Sequence, residues 1–224
     1  MSAHLNEEQL QSLASQLSCP SGEQGLKTAE NMALSNRGMI LSAIDALDLQ
    51  KGDAVLEIGP GGGSHLKAFF EKAPDLRYTG VDISELMVAE ASRFNDALVS
   101  DGKVEFLLSG GEALDFSEDT FDKIVTVNTL YFWKDPKQYL MEIKRVLKPG
   151  GIFSLCFAPK EFMAKLPFTH YIFNLYTPAE AEGLLKEAGF ESLKVNRHDE
   201  IVRGNAGQTI ERDFLVVVAQ KKVS

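Results

Sequence analysis

Residues 54–66 read AVLEIGPGGGSHL. The apolar run Val55-Leu56 leads to an acid, Glu57, and the chain then passes through Gly59, Pro60, Gly61, Gly62 and Gly63. A carboxylate at a strand end, followed by a turn stripped of side chains, exposes bare backbone where a partner must come close. Glycine permits positive φ and removes the Cβ that would stand in the way. The helix expected to open near Ser64 turns its free N–H groups toward the same place.

From residue 53 onward the chain alternates strand and helix. Strands are expected at 53–58, 77–82, 103–108, 122–128, 151–157, 190–197 and 212–219. Several, such as KIVTVN, IFSLCF and FLVVVA, are continuous apolar runs, which suit strands covered on both faces. The intervening helices carry their own signals. Asp135-Pro136 supplies an N-cap and a first-turn proline. Leu140, Ile143 and Leu147 share one face, Lys144, Arg145 and Lys148 favour the C-terminal end, and Pro149-Gly150-Gly151 is expected to stop that helix. Thr177-Pro178-Ala179-Glu180 has capping-box spacing, and Gly189 is a C-terminal stop. These patterns predict an α/β fold: a doubly wound, Rossmann-like, mostly parallel sheet of seven strands with helices on both faces. Helices at 6–17 and 28–47, separated by a surface loop at SCPSGEQG, form an N-terminal extension. The expected division is a helical cap over 1–50, packed on the core, and an α/β domain over 51–224.

In such a sheet, ligands bind at the C-terminal strand ends beside a topological switch point. The second strand, in RYTGVDIS (77–84), ends in Asp82. An acid about twenty residues past the glycines typically takes two ribose hydroxyls, so a nucleoside-bearing ligand is expected. The dinucleotide fingerprint G-x-G-x-x-G/A fits Gly59 and Gly61, but its third position falls on Ser64. The pattern present is E-x-G-x-G-x-G, on Glu57, Gly59, Gly61 and Gly63.

That pattern resembles motif I of the class I S-adenosylmethionine-dependent methyltransferases. The resemblance extends through SGGEALDFSEDTFDKIVTVNTLYF (109–132), YLMEIKRVLKPGGIF (139–153) and YTPAEAEGLLKEAGF (176–190), and covers nearly all of 53–219. The pattern is nearest to the small-molecule-type methyltransferase domains. It implies S-adenosyl-L-methionine as cofactor, with S-adenosyl-L-homocysteine as product, and a small-molecule methyl acceptor. Glu57, Gly59, Pro60, Gly61 and Gly63 match the positions beneath the methionine moiety, and Asp82 matches the ribose acid. Ile83 and Met87 would border the adenine, with core packing the other reading of Met87. Where many members carry an Asp at the adenine-side loop, this chain has Gly110. Backbone groups at Gly111, Glu112 and Ala113 are the candidates there, and Glu112 either replaces the missing acid or is merely solvated. Asn128 and Thr129 match positions beside the cofactor methionine and the reacting methyl. They open N-T-L-Y rather than the N-P-P-Y common in enzymes that methylate nucleic-acid bases or protein glutamine.

Tyr131, Phe132 and Trp133 are expected either as an aromatic acceptor wall or as packing under the next helix. The catalytic residue is unknown, with His170 and Tyr131 as candidates. His170 lies in the apolar insertion FMAKLPFTHYIFNLY and is a general base or a lid-packing residue. His65 is expected on a helix face. Asn36 and Arg37 are candidates to reach the methionine carboxylate, or ordinary polar helix residues.

The bulk properties agree. The 224 residues carry a net charge of -9, which disfavours a nucleic-acid substrate. No apolar run reaches membrane-span length, and no signal pattern opens the chain. Cys19 and Cys156 form no metal-ligand spacing, no metal is expected, and a reducing cytoplasm suits them. Two other readings stand: a non-catalytic S-adenosylmethionine-binding module of the same fold, and an NAD-dependent dehydrogenase, against which Ser64 counts.

Overall fold

A computed structural model describes residues 5–203 and 209–223. Three helices lead: α1 (Glu7–Ser18), α2 (Gly22–Ser35) and α3 (Arg37–Asp45). Then follow β1 (Ala54–Ile58), α4 (Lys67–Lys72), β2 (Arg77–Asp82), α5 (Glu85–Phe94), α6 (Asp96–Ser100), β3 (Val104–Leu108) and β4 (Phe121–Val127). The chain continues with α7 (Pro136–Val146), β5 (Leu147–Phe157), α8 (Lys160–Met163), α9 (Pro178–Glu187), β6 (Glu191–Arg203) and β7 (Thr209–Gln220).

The seven strands form one sheet in the order β3-β2-β1-β4-β5-β7-β6. Neighbours from β3 to β5 pair in parallel, while β7 runs antiparallel to both β5 and β6. Side chains alternate between two apolar layers, as the two-residue period of a strand requires. Leu56, Ile58, Ile124 and Phe153 pack with α7 and α9 on one face. Val55, Tyr78, Val125 and Cys156 pack with α3 and α4 on the other. Parallel strands covered on both faces need continuous apolar sequence, which is why those runs could be read directly.

The helix caps form as their sequences predict. Asp135 accepts from the Gln138 N–H, with Pro136 in the first turn. Thr177 and Glu180 close a reciprocal capping box. Elsewhere the boundaries differ from expectation. The helix before Pro149 ends at Val146, and β5 runs straight through Pro149-Gly150-Gly151, with a register shift against β4 between Phe121 and Lys123. The expected loop at SCPSGEQG shrinks to residues 19–21, because α2 already starts at Gly22. Here the Gln16 side chain accepts from the Ser21 N–H and fixes the turn. The single helix expected over 28–47 is broken at Asn36, where Arg212 of β7 bonds the Ser35 carbonyl from outside the helix.

The two thiols differ sharply. Cys156 is fully buried, with its Sγ 3.7 Å from the Met39 carbonyl oxygen, and burial raises its thiol pKa. Cys19 is exposed. A disulfide-exchange reagent should therefore titrate one thiol in the native protein and both after denaturation. Rapid native reaction of both would contradict the packing of α3 on β5.

Candidate functional site

The strand order reverses direction at β1, whose two neighbours are β2 and β4. The connections therefore leave a crevice at the C-terminal end of β1. A cavity of about 380 Å³ opens there, lined by the β1 exit turn, the β2 end, the loop after β3, the loop after β4 and residues of α2 and α3. That volume falls in the range of about 300–1,000 Å³ usual for small-ligand sites.

Glu57 sits at the base of this cavity, only 3% exposed. Its neighbour in the strand, Leu56, faces one apolar layer, so Glu57 faces the other, beside Tyr78. The Tyr78 hydroxyl donates to Glu57 Oε2 at 2.6 Å, and His65 Nε2 lies 2.9 Å from both carboxylate oxygens. His65 thus lies not on an exposed helix face but in the turn before α4, turned inward to the carboxylate. Burial lowers the imidazolium pKa, and the charge and hydrogen bond of Glu57 raise it. The result lies above the ordinary histidine value.

The glycine turn is held from its other side by Asp82. One carboxylate oxygen accepts from the Gly61 N–H at 3.1 Å, and the other accepts from the Ser84 N–H at 2.9 Å. Burial raises the Asp82 pKa, while these backbone donors oppose the shift. Each carboxylate oxygen has a second lone pair, so the group can still accept from a ligand. Gly61 adopts φ +56°, and a Cβ built on it meets no protein atom within 4 Å. The turn is therefore open to a ligand rather than packed against protein. Gly59 differs: its absent side chain makes room for the Thr129 methyl.

Asn128 closes the loop after β4 in the left-handed region, at φ +59°. Its backbone N–H donates to the Cys156 carbonyl, and Tyr131 stands behind its side chain. Thr126 Oγ1 donates to the Ile58 carbonyl at 2.8 Å and meets Thr129 Oγ1 at 2.5 Å, tying this loop to the end of β1.

Of the residues singled out from sequence, Glu57, Gly59, Pro60, Gly61, Gly63, Asp82, Ile83, Met87, Gly111, Glu112, Asn128 and Thr129 all line the cavity. Met87 is both buried core and cavity wall. Ala113 is not a lining residue; it is exposed, next to the buried anchor Leu114. Glu112 is exposed and paired with Lys134 at the rim, which lowers its carboxyl pKa through the hydrogen bond and charge. Phe132 and Trp133 do face the cavity. Tyr131 does not: its hydroxyl donates to the Ala158 carbonyl at 2.9 Å and lies 2.7 Å from the Ala158 N–H, so it braces β5. Burial raises its pKa far out of reach of proton transfer. His170 is exposed in a 3₁₀ turn, Pro167–His170, and lines no part of the cavity. Arg37 is exposed and absent from the lining, whereas Asn36 belongs to it. Sequence reasoning missed the Leu17, Pro20, Ala29, Met32 and Ile40 wall. Those residues look like ordinary helix positions, and long-range contacts such as that of Pro20, whose carbonyl accepts from Ser84 Oγ, bring them over the site.

Comparison with known proteins agrees with this geometry. Residues 56–155 match the family described as methyltransferase domain. An uncharacterized methyltransferase, YdaC of Bacillus subtilis, is 29% identical over 73% of this chain and 86% of its own length. A demethylmenaquinone methyltransferase of Clavibacter sepedonicus is 31% identical over 60% of this chain and 52% of its own. The crystal structure of an S-adenosylmethionine-dependent methyltransferase of Thermotoga maritima superposes with a TM-score of 0.64 at 23% identity. It covers 95% of this chain and all of its own. Residues 56–155 thus form a methyltransferase domain, and the chain has the Rossmann-like methyltransferase fold.

The Glu57–His65 pair predicts a pH signature. The folded histidine titrates above its unfolded value of about 6.5, so its contribution to stability is complete below that pH and is lost as pH rises through the folded value. His65→Gln keeps a neutral donor but not the charge. The stability difference between parent and variant, measured by urea unfolding, should shrink as pH is raised. A difference that stays constant from about pH 5.5 to 8.5 would show that His65 carries no charge in the fold.

Proposed function

We propose that the cavity binds S-adenosyl-L-methionine and that the enzyme transfers its methyl group to a small-molecule acceptor. The observation that carries this reading is the pairing of a side-chain-free turn at Gly61 with the Asp82 carboxylate, on two adjacent strand ends, in one cavity. Asp82 would accept from the ribose diol through its remaining lone pairs. Ile83, Met87 and the Gly111 backbone would border the adenine. Glu57 acts indirectly: only 3% exposed and bonded by His65 and Tyr78, it holds the turn rather than the ligand. Residues 1–50 would act as a cap, since α2 and α3 contribute Met32, Asn36 and Ile40 to the wall.

The cofactor, when bound, supplies an already activated methyl on a sulfonium. The protein's task is then to align the acceptor, exclude water and manage any proton. Among the described lining residues, the ionisable groups already have partners. Glu57 is bonded to His65, Glu112 to Lys134, and Asp82 to two backbone N–H groups. Burial holds Tyr139 in its protonated form. This supports an acceptor that arrives with an available lone pair and needs no dedicated protein base. The apolar wall of Phe132, Trp133, Met32 and Ile40, the net charge of -9, and a demethylmenaquinone methyltransferase among the relatives support a largely apolar acceptor rather than nucleic acid.

Incubation with a labelled methyl donor and a panel of small acceptors should give labelled product. Binding of S-adenosylhomocysteine without any turnover would favour the non-catalytic module, and binding of NAD in its place would favour a dehydrogenase.

Gly61→Val gives a sharper test of the turn. The substitution meets no protein atom at its Cβ, but it adds a side chain at φ +56° and fills space claimed for the cofactor. It should cost about 1–2 kcal/mol of stability from the backbone conformation. Affinity for S-adenosylhomocysteine should fall in protein that stays folded by circular dichroism. Unchanged affinity in folded Gly61→Val would leave the glycine a turn former only.

A further inference from the structure

Helix α7 starts where the loop after β4 ends. Asp135 caps it, and the Tyr139 N–H closes its first turn on the Asp135 carbonyl at 3.0 Å. One face of the helix then runs along the loop after β3. Glu142 Oε2 accepts from the Leu114 N–H at 3.3 Å, and the Arg145 guanidinium donates to the Leu114 and Phe116 carbonyls. Just before the helix, Lys134 holds Glu112. Tyr139 lies between these fastenings, one helical turn before Glu142, so the helix sets it against the Gly110–Leu114 stretch. Both Tyr139 and Gly110 line the cavity.

The tyrosine ring is enclosed. Tyr139 is 3% exposed, and Trp133 packs edge-on against it with ring centroids 5.0 Å apart. Its hydroxyl nonetheless makes no hydrogen bond among the described residues, and it is not a sealed, unsatisfied atom. The opening left to it is the cavity that Tyr139 lines. Among the described ionisable lining residues it is the one without a partner. A buried phenol of this kind is costly unless a ligand meets it. Burial, and then the Glu142 charge, raises its pKa, so it meets that ligand as a neutral hydroxyl that can both donate and accept.

The ligand group follows from the layout of the cavity. A ligand with its ribose on Asp82 has its base beside Ile83 and the Gly111 backbone. The missing Gly111 side chain lets the loop after β3 close on Ile83, whose methyl lies 3.1 Å from where a Cβ would stand. The 6-amino group of adenine is at the end of the base remote from the ribose. A base that begins at Asp82 and passes Gly111 therefore ends toward α7. No acid on the loop is free to receive the amino group. Gly110 has no side chain and only open space where one would stand, and Glu112 is engaged by Lys134 at the rim. Ser109 Oγ accepts from the Gly111 N–H. The indole of Trp133 is a donor only and cannot accept from an amino group.

We propose that Tyr139 is a specificity-determining residue whose hydroxyl hydrogen-bonds the 6-amino group of the cofactor's adenine. This inference rests on the cofactor reading above. It gives recognition of the base to a side chain of α7 rather than to the loop beside the base.

Calorimetric titration with S-adenosylhomocysteine and with its purine analogue, which lacks only the 6-amino group, isolates the contact. The unaltered protein should bind the analogue about three- to tenfold more weakly, as expected for the loss of one neutral hydrogen bond. Tyr139→Phe removes only the hydroxyl. It should lose the same factor for S-adenosylhomocysteine and nothing for the analogue. Its melting temperature without ligand should not fall, because the hydroxyl has no protein partner to lose. Equal affinity of the unaltered protein for the two ligands would overturn the inference. So would parent-like binding of S-adenosylhomocysteine by Tyr139→Phe, or an equal loss for both ligands. If the unaltered protein binds neither ligand, the cofactor reading itself fails and this inference falls with it.

Discussion

A carboxylate buried at the end of a central parallel strand cannot stand alone. Glu57 has water access reduced to 3%, and an unpaired charge in that position would be prohibitively costly. His65 and Tyr78 satisfy it from the following turn and the neighbouring strand, which ties the start of the α4 segment and β2 to the tip of β1. Asp82 repeats the arrangement one strand over, accepting from the turn at Gly61. Between them the two acids fix a backbone loop with no side chains to fix it. The cavity is the space left when that loop is held open.

Much of this was legible in the sequence, for identifiable reasons. Runs such as KIVTVN and FLVVVA signal strands covered on both faces, and every expected strand has a counterpart in the sheet. Asp135-Pro136 and Thr177–Glu180 cap their helices as read, since cap chemistry is local. Glycine spacing with an acid before and after it located the cavity. The misreadings of His65, of Tyr131 and of the helix over 28–47 share one cause, long-range contact. His65 looks like a helix residue until Glu57 and Tyr78 are seen beneath it. Tyr131 and His170 carry suitable chemistry, but the first is spent on the Ala158 backbone and the second faces solvent. The break at Asn36 depends on Arg212, which lies 176 positions away.

The N-terminal segment shows how far local signals reach. Its helices are short and amphipathic, no local feature marks Pro20 as part of a site, and Asn36 came forward only through the resemblance. Three fastenings put them there: Ser84 on the Pro20 carbonyl, Arg212 on the α2–α3 break, and Tyr171 on the Glu7 carbonyl. The wall over the cavity is thus fastened by contacts separate from the glycine turn.

The most direct measurement is a crystal structure of the protein grown with S-adenosylhomocysteine. The account predicts ligand density along the Gly59–Gly63 turn, the ribose hydroxyls within hydrogen-bond distance of the Asp82 carboxylate, and no direct contact from Glu57. A ligand bound with its ribose away from Asp82, or a cavity that stays empty at saturating concentration, would contradict it.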